Sequence, residues 1–163
     1  MKVFIDEDCG SGIPKSLKLV KMPCDDLVYP SNRLPIKLGT KDPEWIPWAG
    51  DNGYLALSMN HHILENPAEF ALVVAHGLGI VFVDWGEYPA WAVLKMLMTR
   101  WTWFEEVDRS PKPFAYYIGL SGRPVAYDLS HGPRRPRSFR GPLVPSTAPE
   151  PLPPRPRLQI PLF

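Results

Sequence analysis

Three apolar runs in this chain each break off at an acid or an acid-shaped amide: Val3-Phe4-Ile5 at Asp6, Tyr54-Leu55-Ala56-Leu57 just before Asn60, and Ile80-Val81-Phe82-Val83 at Asp84. As parallel strands of a doubly wound sheet they would end on one side, where ligands bind in the crevice beyond the carboxyl ends. Distant stretches of sequence would then deliver oxygen ligands to one place. Such a cluster suits a hard divalent cation.

Helical patterns separate the runs. Ser11-Gly12-Ile13-Pro14 starts a helix over Lys15 to Lys21, with Ile13, Leu17 and Val20 on one face. Leu27-Val28-Tyr29 reads as a second strand ended by Pro30, and a polar loop runs from Ser31 to Lys41. Asp42 as N-cap and Pro43 at the first helical position open a helix through Ala49, closed by the turn Gly50-Asp51-Asn52-Gly53. Asn66-Pro67-Ala68-Glu69 has a capping-box pattern and starts a helix running to Gly77. The longest helix is expected from Pro89 to Val107, with Trp91, Leu94, Leu97, Met98, Trp101 and Phe104 on the core face. Pro113 to Leu120 and Pro124 to Leu129 pair across Ser121-Gly122-Arg123. This alternation predicts an α/β three-layer sandwich around a mainly parallel sheet.

The C-terminal segment is a different material. Ten of the 21 prolines in this 163-residue chain lie between His131 and Phe163, with six arginines against Glu150. That segment carries +5, leaving −4 on residues 1 to 130. Dominated by proline and arginine, it is not expected to build a core, so the expected division is one folded domain over 1–129 and a disordered Pro/Arg-rich tail over 130–163. Cys9 and Cys24 read as reduced thiols of a cytoplasmic protein. No apolar stretch reaches the ~20 residues of a membrane span. The tryptophans from Trp91 to Trp103 suit a core and could equally serve a homodimer face.

Within Asp6-Glu7-Asp8, Asp6 and Asp8 can point the same way while Glu7 points elsewhere. Bound Mg²⁺ or Mn²⁺ would relieve their repulsion and leave positions for a phosphate oxygen. Asp42 and Glu44 are sufficiently explained by capping and the helix dipole, although a helix N-terminus beside the sheet edge also brings its acids there. Glu65 and Glu69 lie close in sequence to Asn60, but Glu69 fits a capping box, and Asp84 is a reserve candidate beside a Gly86 turn. His61-His62 has no second Cys/His group at zinc-ligand spacing. Gly10-x-Gly12 lacks the rest of a dinucleotide fingerprint, and no Gly-x-Ser-x-Gly elbow is present.

The Phe4-Ile5-Asp6-Glu7-Asp8 opening, the Lys41-Asp42-Pro43-Glu44-Trp45-Ile46 segment, and Tyr54 to Ser58 followed by Asn60 and then Pro67-Ala68-Glu69 resemble, in order and spacing, PIN-like domains of the VapC type. Those are the ribonuclease toxins of toxin–antitoxin pairs, and the similarity spans about residues 2 to 129. It implies a PIN-like fold in which acids from the first strand, a mid-chain helix and a later strand hold Mg²⁺ or Mn²⁺ for RNA phosphodiester hydrolysis. It also implies a cognate antitoxin partner. By position Asp6 is the first-strand acid and Asp42 the mid-chain acid, while Ser58-Met59-Asn60 stands where a Thr-x-Asp pattern is usual. The expected ligand set is Asp6, Asp42 and Asn60 with Asp8. Because Asn60 has lost a charge, the alternative is a catalytically weakened PIN-like protein kept for nucleic-acid binding or regulation.

Overall fold

A computed structural model describes residues 1–31, 35–84, 88–120 and 124–134, with the Asp84 side chain excepted. Six strands form one sheet in the order β2-β1-β3-β4-β5-β6: β1 (Lys2–Ile5), β2 (Asp26–Val28), β3 (Tyr54–Ser58), β4 (Gly79–Asp84), β5 (Phe114–Gly119) and β6 (Val125–Tyr127). The first five are mutually parallel and β6 pairs antiparallel to β5. The chain winds from β1 outward to β2, then crosses back to β3, so strand order reverses between β1 and β3. In open α/β sheets that reversal is where the ligand crevice opens.

Strand alternation sends side chains to two faces, and each face is covered. Val3, Ile5, Leu55, Leu57, Val81 and Val83 pack against α1 (Gly12–Leu19), α4 (Ala90–Thr99) and α5 (Trp101–Asp108). On the other face Phe4, Ala56, Ile80 and Phe82 pack against α2 (Asp42–Asp51) and α3 (Pro67–Ala75). The molecule is therefore the expected α/β/α sandwich. Among the described residues no helix is long and apolar enough to cross a membrane.

Local departures have local causes. Helix α1 ends at Leu19, which leaves Val20 47% exposed while Ile13 and Leu17 are buried. The helix expected over 89–107 is two helices broken at Arg100, and its buried line runs through Val93, Met96, Leu97, Trp101, Phe104 and Val107. Trp91 and Met98, expected on the core face, are 67% and 42% exposed. From 89 to 98 every position but Lys95 is apolar, so spacing alone could not select the buried stripe.

Helix α2 runs through Asp51, past the expected turn at Gly50. A Cβ at Gly50 would overlap the His76 carbonyl oxygen, so α2 passes the end of α3 in near-backbone contact. Gly50→Ala is expected to lower stability by about 1–3 kcal/mol in urea unfolding, overpacking outweighing the gain in helix propensity of about 1 kcal/mol.

The segment 130–163 was expected to be disordered, and from residue 135 on it lies outside the described residues, as does the turn at 121–123. Its first residues are held: the Arg134 amide donates to the Leu64 carbonyl at 3.1 Å, and the Tyr127 hydroxyl shares its one proton between the carbonyls of Gly132 and Arg134, each at 3.1 Å.

Candidate active site

Asp6 is the first residue beyond β1, and its amide donates to the Leu57 carbonyl at 2.9 Å, carrying the β1–β3 ladder one step past the strand. Its carboxylate is thereby fixed at the reversal point and is only 4% exposed. Ser58, the last residue of β3 and fully buried, donates its hydroxyl to Asp6 Oδ2 at 2.7 Å. The same hydroxyl accepts the Asn60 amide N–H at 3.0 Å. One serine thus ties the first-strand acid to the turn carrying Asn60.

Asp42 arrives from the other direction. Trp45, buried in α2, stacks on Phe4 of β1 with ring centroids 4.9 Å apart, which seats the first turn of α2 over the strand end. The Trp45 indole N–H donates to Asp42 Oδ1 at 2.8 Å. Capping is not what Asp42 does: the N-cap position is Lys41, Asp42 is the first helical residue, and no side-chain cap bond forms. Its second oxygen accepts the Asn60 side-chain amide at 3.0 Å. Asn60 Oδ1 in turn accepts the His62 N–H at 3.2 Å, capping the 3₁₀ turn His61–Leu64.

Asp6, Ser58, Asn60 and Asp42 therefore form a continuous hydrogen-bonded chain drawn from three separate segments. Burial pushes Asp6 up from an ordinary 3.8 to about 6, and the nearby charges of Asp8 and Asp42 push the same way, opposed by the Ser58 hydrogen bond. Asp8, exposed on the 3₁₀ turn Glu7–Cys9, lines an open hollow of about 300 Å³ with Cys9, Gly12, Met59, Tyr88 and Val93. Glu7 points elsewhere, accepting the Gly39 amide at 2.6 Å.

The remaining acids stand at the margin. Glu69 accepts the Asn66 side-chain amide at 2.8 Å, while Asn66 caps α3 by accepting the Ala68 N–H at 3.0 Å. Burial first, then the charge of Asp42, raises the Glu69 carboxyl above its usual range. Glu44 is exposed, and Asp84 closes β4 with its side chain outside the described residues. Ser58 and Trp45 stand in the motifs that carry the resemblance but were given no role from sequence. The available signal was a polar residue closing a strand otherwise wholly apolar after Tyr54.

A buried carboxylate whose charge is opposed by burial and by two further acids is one whose ionised form a neighbouring positive charge would favour. The model for the PIN-like domain family matches residues 1–84, the span that carries Asp6, Asp8, Asp42 and Asn60, and the chain belongs to that family. No curated protein and no solved structure matches it. PIN-like domains are commonly nucleases, and this chain has that nuclease-type fold.

Proposed function

We propose that this PIN-like domain is a metal-dependent endoribonuclease, acting as the toxin of a toxin–antitoxin pair as its VapC-type resemblance suggests. The observation that carries the reading is the convergence of Asp6, Asp42 and Asn60 at the β1/β3 reversal, with the Asp8 charge felt at Asp6. Asp6, Asp8 and Asp42 would hold Mg²⁺ or Mn²⁺, and the Asn60 carbonyl would join them only by releasing the His62 N–H that it accepts. When bound, the ion supplies charge neutralisation at the scissile phosphate and a more acidic water. The chain's own residues do the positioning. Ser58 fixes the orientation of Asp6, Trp45 and Asn60 fix the two oxygens of Asp42, and Asp8 faces the hollow where substrate would enter.

The test is cleavage of a mixed RNA pool with Mn²⁺ and with chelator. Cleavage that survives complete chelation would overturn the metal-dependent reading. One observation favours the weakened-site alternative: the Asn60 amide already donates to Asp42, partly serving the acid as a cation would. An inactive wild type that still retains RNA would favour that alternative.

RNA must also be attracted to a body carrying −4. Arg134, the first tail arginine, is anchored beside Leu64, at the end of the 3₁₀ turn that begins at the Asn60 cap. Five more arginines follow it in sequence. Deleting residues 135–163 is expected to flatten the salt dependence of RNA binding, by a slope of up to ~0.7 for each single-strand phosphate that a tail arginine neutralises. An unchanged slope in a filter-binding titration would remove the tail from RNA binding.

A further inference from the structure

We propose that His61, His62 and Glu65 form a second metal site, selective for a transition ion such as Zn²⁺ and separate from the carboxylate centre. One nitrogen of each imidazole and one Glu65 oxygen all lie within 4.8 Å of one another. The local backbone explains the grouping. His61–Leu64 is a 3₁₀ turn, and Glu65 is its C-cap. Three residues per turn bring positions i and i+3 into line, so His62 and Glu65 share a face.

One pair already has ligand spacing. His62 Nδ1 and Glu65 Oε2 are 3.3 Å apart. Two donors each about 2.0–2.1 Å from a tetrahedral Zn²⁺ stand about 3.3–3.4 Å from each other. The His61 ring lies next to that of His62, centroids 4.6 Å apart and tilted by 33°. The His62 side chain is 67% exposed, so its ring can adjust without disturbing the core. Glu65 is 27% exposed and near enough to Tyr117 that its charge helps raise the phenol, which marks it as the more firmly placed donor.

Two imidazoles and one carboxylate leave a fourth position for water, the pattern of an accessible Zn²⁺ site. Imidazole nitrogen suits Zn²⁺ and its neighbours in the series, whereas the all-oxygen set around Asp6 suits Mg²⁺ or Mn²⁺. The two centres meet at Asn60, whose side chain caps the turn bearing the histidines and donates to Asp42. Spacing between Cys and His residues gave no hint of this group, because its third donor is a glutamate.

The test is a Zn²⁺ titration of the full chain in competition with a chromophoric chelator, with Co²⁺ absorption as a second readout. Wild type and Asp6→Asn should share one site of equal affinity that shows the intense visible bands of four-coordinate Co²⁺, and any second, weaker ion should bind the wild type alone, at the carboxylate centre. His62→Ala and Glu65→Gln should weaken binding by ~10-fold or more and lose those bands. Circular dichroism verifies that both variants are folded. Zn²⁺ binding unaffected in folded His62→Ala, or abolished by Asp6→Asn, would overturn the proposal.

Discussion

Replacing Asp6 with asparagine should cut metal-dependent cleavage by at least about 100-fold and, in the same molecule, raise stability at neutral pH. The rise from 3.8 to about 6 means that keeping Asp6 ionised inside the fold costs about 3 kcal/mol at pH above 7. At 4% exposure little of this is screened. Asparagine removes the charge and can still accept the Ser58 hydroxyl through its side-chain oxygen. It loses the charge-assisted part of that bond, so the net gain should be about 1–2 kcal/mol.

The pH dependence follows from the folded state holding its proton more tightly than the unfolded chain does. Stability associated with protonated Asp6 is present in full below about 4 and is lost as pH rises through about 6. Wild type should therefore become more stable between pH 7 and pH 4.5 relative to Asp6→Asn, for which this contribution is flat. Urea unfolding of both proteins at several pH values without divalent ions measures it. Excess Mn²⁺ should narrow the gap at pH 7.5 by binding only the folded wild type. An Asp6→Asn protein less stable than wild type at every pH, or still fully active, would contradict this account.

Asn60→Asp should work in the opposite direction. The substitution exchanges the amide donor 3.0 Å from Asp42 Oδ2 for a second carboxylate. The cap on the His61–Leu64 turn survives, because aspartate accepts the His62 N–H as asparagine does. Without divalent ions the new like-charge pair should lower stability by about 1 kcal/mol or more. With Mn²⁺ present the added charge should tighten ion binding by ~10-fold and raise cleavage in proportion. Calorimetric titration, melting with and without Mn²⁺, and the RNA assay read the three effects separately. Tighter ion binding with reduced cleavage would mean that the Asn60 amide itself contributes to turnover; cleavage found only in the variant would identify a decayed site.

How much of this could be read from residues alone depends on whether the signal was local. The meeting of Asp6 and Asn60 was legible because apolar runs that end in polar residues must end at the sheet edge. Asp42 was legible as a candidate, but the Asp-Pro pair pointed to capping, whereas Lys41 occupies the cap and the side chain turns to Trp45 and Asn60. That choice rests on the Trp45–Phe4 stack, a pairing across 41 positions that no local pattern encodes. The part Ser58 plays was hidden for a similar reason: its partner Asp6 lies 52 residues away. The split at Arg100 was hidden by an excess of apolar residues, several of which the fold leaves in water.

Cys9 sits one turn beyond Asp6, buried, with its thiol donating to the Leu57 carbonyl at 3.6 Å. Burial and the charges of Asp6 and Asp8 hold that thiol well above its ordinary range, so it stays protonated and unreactive toward electrophiles while the seam between β1 and β3 is closed. The acids at the end of β1 thus also keep the neighbouring thiol protonated. Alkylation of Cys9, reached through the hollow that it lines, should therefore run far slower than that of the more exposed Cys24 in the folded protein.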